Sequence, residues 1–246
     1  EVFYNSEIHH TDMADLDGEG GYTIHFGGNF FSNTNAMGAF IRALNNWKCN
    51  TQVNIYPDTI SYSDIGINYN DGKSYVAFGN SNSLPAGVLG QTVTSYTSCY
   101  FGGELHWIMT EMDMVFNPDF NFYFGTGNVP NGHFDFESII THELGHAQLL
   151  QHNLNPNSVM FYRLQAGEHN RHLDPNSDIP ATGHVIDVSE HLDNGCSYMP
   201  MLLADPSECD AVLASVDDEE TQEVPNLVYP NPSNGNIFLQ QNADEV

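Results

Sequence analysis

Three histidines and one glutamate fall within residues 142–152, which read His-Glu-Leu-Gly-His-Ala-Gln-Leu-Leu-Gln-His. On a helix, residues four apart lie about 40° apart round the axis and about 6 Å apart along it. The imidazoles of His142 and His146 can therefore converge on one metal ion. The carboxylate of Glu143 can reach a water on that ion without binding the ion. This spacing predicts a zinc site with Glu143 as the general base.

The third histidine cannot stay on the same helix. A continuing helix would carry His152 about 15 Å along the axis from His142, whereas Zn–N distances are near 2 Å. The chain must therefore leave the helix before His152 and turn back. Glycine usually makes such a turn, because φ > 0 costs another residue about 1 kcal/mol. We predict that the helix ends within a residue or two of Leu149, and that one non-glycine residue there has φ > 0: Leu149 itself, Gln148 or Gln151.

A second motif follows His152 closely. Ser158-Val-Met160-Phe-Tyr162 comes after the helix breakers Asn-Pro-Asn at residues 155–157. With the three histidines and the glutamate, it resembles the metzincin clan of zinc peptidases, whose motif His-Glu-x-x-His-x-x-Gly-x-x-His is followed by a Met-turn. The Met-turn spacing resembles that of matrixins, and the tyrosine two residues later resembles that of astacins and serralysins. The resemblance implies that Met160 underlies the zinc without binding it, and that Tyr162 is a movable phenol that helps to stabilise the transition state.

The elements that must position this site are predicted from hydrophobic periodicity. Asp135 can cap the helix that carries the histidines, and an apolar stripe from Phe136 to Ala147 faces the core. Upstream, the sequence predicts a helix at residues 35–48 and strands at residues 22–26, 53–55, 74–78, 88–96 and 112–116. This order predicts an α+β fold with a mixed sheet backed by helices.

The resemblance to matrixins extends over these upstream elements. Residues 22–26, 35–48 and 52–56 look like a matrixin's first strand, first helix and second strand, and residues 84–90 resemble the entry to its edge strand. The implied fold is a zincin domain with a twisted five-stranded sheet, an active-site helix and a small C-terminal subdomain. An extended peptide substrate is expected to add to the edge strand, at Val88, Leu89, Gly90, Gln91 and Thr92. Residues 161–173 are expected to build the pocket on the leaving-group side.

The implied activity is that of a secreted zinc endopeptidase acting on extracellular proteins. One alternative keeps the zinc but takes its third ligand from Glu168, as in peptidases of the thermolysin type, although residues 167–170 lie among breakers. The other alternative is a non-catalytic binding module in which the metal only staples the fold. The intact Glu143 disfavours this module, because a structural site needs no base.

The composition restricts partners and compartment. Five Lys and Arg stand against 32 Asp and Glu, a net charge of -27, which repels nucleic acid and anionic membranes. The acidity suits a salty exterior, or it indicates Ca²⁺ binding, for which residues 15–19 are the best local candidate. Four cysteines without a Cys-x-x-Cys pair predict disulfides in an oxidising compartment, with the pairings Cys49 with Cys99 and Cys196 with Cys209 favoured. We expect a monomer with no membrane span.

The chain is expected to divide into three parts. Residues 1–204 form the catalytic domain, with residues 1–21 as an N-terminal extension or propeptide remnant, and the acidic residues 205–226 form a linker. Residues 227–246 resemble the start of the C-terminal sorting domain that type IX secretion uses in Bacteroidetes. Residues 134–138, Phe-Asp-Phe-Glu-Ser, resemble the run before the zinc helix in secreted metalloproteases of that phylum. These resemblances imply the type IX secretion machinery as a partner and an extracellular or cell-surface location.

Overall fold

The computed structural model describes residues 8–10, 20–62, 71–80, 84–190, 198, 200–209, 228–231 and 236–239. The candidate calcium segment at residues 15–19, the predicted linker beyond residue 209 and Cys196 lie outside the described residues.

The elements follow the predicted alternation of strands and helices, with additions at the ends and between them, but the strand predicted at residues 53–55 begins only at Ile55 and runs to Tyr62. In chain order they are β1 (Ile8–His9), β2 (Tyr22–Gly27), α1 (Gly28–Phe31), α2 (Thr34–Thr51), β3 (Ile55–Tyr62), β4 (Ser74–Phe78), β5 (Gly90–Phe101), β6 (Glu104–Phe116), β7 (Phe122–Tyr123), β8 (Phe134–Asp135), α3 (Phe136–Ala147), α4 (Asp178–Glu190), a 3-10 helix at Pro206–Cys209, β9 (Val228–Asn231) and β10 (Asn236–Leu239).

Five principal strands and the two-residue β1 form one mixed sheet. Its order is β1-β6-β4-β2-β3, and all of these neighbours are parallel. β5 pairs antiparallel with β6 along its whole length and with no other described strand. The predicted α+β fold with a mixed five-stranded sheet is confirmed, and β1 is an addition. β10 lies near β5 but pairs with β9.

Helices α2 and α3 cover one face of the sheet. The side chain of Asn33 caps α2 by accepting a hydrogen bond from the Ala36 amide at 3.1 Å. Near the other end of α2, the buried Trp47 indole donates to the Thr141 carbonyl of α3 at 2.8 Å. Phe136 in the first turn of α3 packs against Phe116 of β6, with 4.9 Å between ring centroids. These contacts fix the helix that carries His142 and His146 on the core.

The β5–β6 hairpin is longer than its sequence pattern predicts. β5 begins at Gly90 rather than at residue 88 and continues to residue 101, while β6 begins at residue 104 rather than at 112. Gly102 and Gly103 both have positive φ and make the two-residue turn. The outer part of the hairpin exposes its large apolar side chains, Tyr100 and Leu105 among them. Because the outer part of the hairpin contacts little of the hydrophobic core, its sequence shows only a weak alternation of apolar and polar residues, and the strands were predicted too short.

The predicted disulfide pairing is wrong. Cys49, near the end of α2, is bonded to Cys209 of the 3-10 helix, 160 residues later, and Cys99 is also disulfide-bonded. The prediction favoured cysteines that are neighbours in sequence. The fold instead brings the chain after α4 back to the end of α2, which ties residues 206–209 to that helix.

Candidate metal centre

The helix that carries the histidines begins as predicted, at a capping aspartate. Asp135 accepts hydrogen bonds from the Ser138 amide at 2.9 Å and from the Ser138 hydroxyl at 2.6 Å. Its buried carboxylate is neutralised by Arg171, whose guanidinium nitrogens lie 2.6 and 2.9 Å from its two oxygens. Such a pair is worth more than an exposed ion pair, because little water competes for it.

The helix ends where the third ligand requires it to end. α3 stops at Ala147, and Leu149 adopts φ 64. The Leu150 amide then donates back to the Gly145 carbonyl at 3.0 Å, which closes the turn. The prediction of a non-glycine residue with φ > 0 is confirmed. Leu149 bears the strain while its side chain stays buried in the core.

The three imidazoles converge through their Nε2 atoms. Nε2 of His152 lies 3.0 Å from that of His142 and 3.1 Å from that of His146. Two of the rings donate from Nδ1 to backbone carbonyls, His142 to Val159 at 2.7 Å and His146 to Leu150 at 2.8 Å. These bonds turn the Nε2 lone pairs toward a common point. A tetrahedral zinc with Zn–N of 2.0–2.1 Å would hold such nitrogens about 3.3 Å apart, so the set fits zinc.

The protonation state of these rings also suits a metal. Burial lowers the pKa of His142 well below its usual value, and the neighbouring imidazoles lower it further. Burial lowers the pKa of His146 to about 4 and that of His152 to about 3. All three rings are therefore neutral near pH 7, which is the form that binds metal.

Glu143 directly follows His142 on α3 and is fully buried. Its Oε2 accepts a hydrogen bond from the Thr92 hydroxyl of β5 at 2.7 Å, while Oε1 has no hydrogen-bond partner. Burial raises the pKa of Glu143 to about 8, against the opposing effect of the Thr92 hydrogen bonds. The bond between Thr92 and Glu143 was not expected from the sequence.

Of the residues predicted for the substrate edge, Gly90, Gln91 and Thr92 lie on β5. Val88 and Leu89 precede the strand and are buried. Their carbonyls accept hydrogen bonds from Asn117, at 2.9 Å from its side chain and 2.8 Å from its backbone amide. The prediction that Val88 and Leu89 lie in the edge strand is therefore corrected: β5 begins after them, at Gly90, and Asn117 binds their carbonyls.

The Met-turn lies beneath the zinc-site helix. Met160 is fully buried, and a Cβ on Gly145 would lie 2.1 Å from its sulfur. The strand-like segment after His152 is joined to this turn, because the Asn153 amide donates to the Met160 carbonyl at 2.9 Å and the Tyr162 amide to the Asn153 carbonyl at 3.3 Å. Gly145 therefore provides the space in which the methionine side chain packs.

Asp178, at the start of α4, supports the Met-turn and was missed by the sequence reasoning. Its buried carboxylate accepts hydrogen bonds from the Ser158 hydroxyl, from the Val159 amide at 2.9 Å and from the Asp174 amide at 2.8 Å. Val159 in turn holds His142 through its carbonyl. An aspartate followed by Ile-Pro is a helix-start signal that could have pointed to α4, but not to its contact with the turn.

Tyr162 and Glu168 follow the Met-turn, and Glu168 is not part of the group of converging imidazoles. The Tyr162 ring is half-buried, with its centroid 4.6 Å from that of Phe161. Glu168 accepts a hydrogen bond from the Gln165 side chain at 3.0 Å. Within the described part of the chain, the one group of three or more His, Cys, Asp or Glu side chains placed to hold a metal is that of the three histidines. The alternative with Glu168 as third ligand therefore has no support in the described structure.

A helix with two histidines and a glutamate, a third histidine beyond a turn and a methionine beneath them define a zinc peptidase site of the metzincin type. The family model for matrixin (Peptidase M10) matches residues 3–184. The chain therefore belongs to the matrixin family and is a zinc metalloendopeptidase. No curated protein matches the chain. Among the described residues, no helix is long and apolar enough to span a membrane.

Proposed function

We propose that the protein is a secreted endopeptidase that cleaves extracellular proteins with Glu143 as general base. The observation that carries this proposal is the buried carboxylate of Glu143, which directly follows the zinc-site histidine His142 on α3 and whose Oε1 has no hydrogen-bond partner. His142, His146 and His152 would hold the zinc. Zinc, when bound, supplies Lewis-acid polarisation of the scissile carbonyl and of the water that attacks it.

The chain's own share of the reaction is proton transfer and orientation. Oε1 of Glu143 accepts a proton from the attacking water, and the same carboxyl group later donates it to the departing amine. The Tyr162 phenol helps to stabilise the transition state. Support for this role comes from its position two residues after Met160, in a segment whose backbone is bound to that of Asn153.

The substrate is proposed to bind as a strand along β5. Two observations support this: β5 pairs with β6 alone among the described strands, and its residue Thr92 contacts Glu143. An extended peptide added there gains backbone hydrogen bonds and lies beside the base. Residues 161–173, which follow the Met-turn, would form the pocket on the leaving-group side.

Secretion is supported by the disulfide between Cys49 and Cys209, a bond typical of oxidising compartments. The resemblance of residues 226–239 to the start of a type IX sorting domain supports a Bacteroidetes origin and the type IX machinery as partner. The net charge of -27 supports Ca²⁺ as a second cofactor. We propose that the enzyme acts as a monomer.

Replacing Glu143 with Gln tests the proposal. The Glu143→Gln variant should bind zinc at the wild-type stoichiometry, measured by mass spectrometry of the metal, and should not cleave casein. Unchanged turnover would show that Glu143 is not the base. Casein cleavage by the wild type that survives a zinc chelator would contradict the zinc mechanism, and no cleavage by the zinc-loaded wild type would favour a binding module.

The ligand set is tested by a matched pair. His152→Ala should lose zinc, whereas Glu168→Ala should keep it, because Glu168 is bonded to Gln165 rather than to the metal group. The opposite result would restore the alternative with Glu168 as third ligand.

A further inference from the structure

We propose that Thr92 is a positioning residue for the general base, and that its hydroxyl fixes which carboxylate oxygen of Glu143 faces the reaction. This inference rests on the proposed role of Glu143. The Thr92 oxygen lies 2.7 Å from Oε2 of Glu143 and 3.1 Å from the Glu143 carbonyl oxygen. One side chain of the substrate-edge strand thus contacts both the backbone and the carboxylate of the base.

The Thr92 hydroxyl has a single proton, so it can donate one strong hydrogen bond. The shorter distance favours donation to Oε2. Thr92 is buried, its branched side chain has few rotamers, and its backbone is paired opposite Met114 of β6. The donor is therefore held in place by the sheet, independently of α3.

The Glu143 side chain is buried, and the hydrogen bonds described for its carboxylate come from Thr92. A glutamate side chain has several rotatable bonds whose ordering loses entropy, and the Thr92 hydroxyl is the side-chain donor that holds Oε2 in place. With Oε2 fixed in this way, Oε1 has a defined place from which to take a proton. Loss of the hydroxyl removes the side-chain donor at Oε2 and loosens the hold on the carboxylate.

Gly90 lies on the same face of β5 as Thr92, two residues earlier. A Cβ at Gly90 would lie 3.3 Å from Oε1 of Glu143 and 3.0 Å from the Phe116 ring. β5 thus presents a hydrogen-bond donor at Oε2 and a position without a side chain at Oε1. This asymmetry assigns the two oxygens different tasks, anchoring for Oε2 and proton transfer for Oε1.

The test uses Thr92→Val, which removes the hydroxyl and keeps the shape, and Thr92→Ser, which keeps the hydroxyl. Displacement of a catalytic group by about 1 Å can cost about 100-fold in rate. We expect Thr92→Val to lower kcat about 10- to 100-fold on a fluorogenic peptide, with KM within about twofold of wild type and zinc content unchanged. Thr92→Ser should recover most of the loss.

The matched control is Thr182→Val. Thr182 is fully buried on α4 and its hydroxyl has no hydrogen-bond partner, so its loss should leave kcat at the wild-type value. If Thr92→Val does not fold or loses zinc, Thr92→Ala against Thr92→Ser makes the same comparison. We then expect Ser to be active and Ala to be slow.

The outcomes separate this inference from the proposed function. Wild-type kcat in Thr92→Val, with Glu143→Gln inactive, would overturn the role of Thr92 and leave Glu143 as base. Equal loss in the Ser variant and the variant without a hydroxyl would overturn it as well, because the hydroxyl would not be the cause. Activity in Glu143→Gln would overturn the proposed function itself.

Discussion

Gly145 is the position where one added carbon should disturb the metal centre from beneath. It lies in the interior of α3, between His142 and His146. A Cβ there would lie 2.1 Å from the Met160 sulfur and 3.1 Å from the Trp47 ring. Ordinary carbon–sulfur contacts are near 4 Å, so Met160 must move although it is fully buried. Its displacement should shift the Val159 carbonyl that holds His142.

The size of the effect follows from two opposing contributions. Overpacking a core costs about 1–3 kcal/mol. Alanine in place of glycine inside a helix stabilises by about 1 kcal/mol. The free energy of unfolding of the Gly145→Ala variant should therefore lie about 0–2 kcal/mol below that of the wild type, and the variant should bind zinc more weakly.

Gly183→Ala is the control, because Gly183 is exposed in α4 and a Cβ there would contact nothing within 4 Å. The Gly183→Ala variant gains the higher helix propensity of alanine without any clash, and it should be about 1 kcal/mol more stable than the wild type. Urea unfolding of the zinc-loaded proteins gives both free energies, and competition with a chromogenic chelator gives the zinc affinities. Equal stability of the two variants, with equal zinc affinity, would refute the packing of Met160 beneath Gly145.

Two further predictions concern strain and pH. The Leu149→Ala variant should be about 2–3 kcal/mol less stable than the wild type because it loses buried side-chain area. The Leu149→Gly variant should lose about 1 kcal/mol less, because glycine tolerates φ > 0. Equal unfolding free energies of the two variants would argue against backbone strain at Leu149. Burial, with Glu111 and Asp71 nearby, raises the pKa of Asp113 to about 7. The folded state therefore favours the protonated carboxyl group. The stabilisation that comes from this protonation is lost as the pH rises from about 4 through 7. Over that window the Asp113→Asn variant should gain stability relative to the wild type, by a few kcal/mol at most. A constant difference in unfolding free energy between the two proteins from pH 4 to 8 would contradict this.

The chemistry of the site was predictable because it depends on local spacing. Helix geometry alone places His142 and His146 together and excludes His152 from the same helix. That exclusion led to the break at Leu149, which the structure places at φ 64. The capping role of Asp135 was predictable for the same reason, since a cap and its amide donor are three residues apart.

Features that depend on how elements pack were not predictable from one sequence. The contact between Thr92 and Glu143 joins residues 51 apart, and it exists because β5 crosses beside α3. The contact of Asp178 with the Met-turn arises in the same way. The disulfide of Cys49 with Cys209 requires the chain to return to the end of α2 after α4. Tertiary packing decides such pairings, and nothing in the local pattern encodes them.

The central claim is that three histidines from α3 and the turn after it hold one zinc ion. Anomalous diffraction at the zinc absorption edge, on crystals of the protein purified without added metal, tests it most directly. One strong peak should lie about 2.0–2.1 Å from Nε2 of His142, His146 and His152. A peak bound by Glu168 instead of His152, or no peak among the three rings, would contradict the claim.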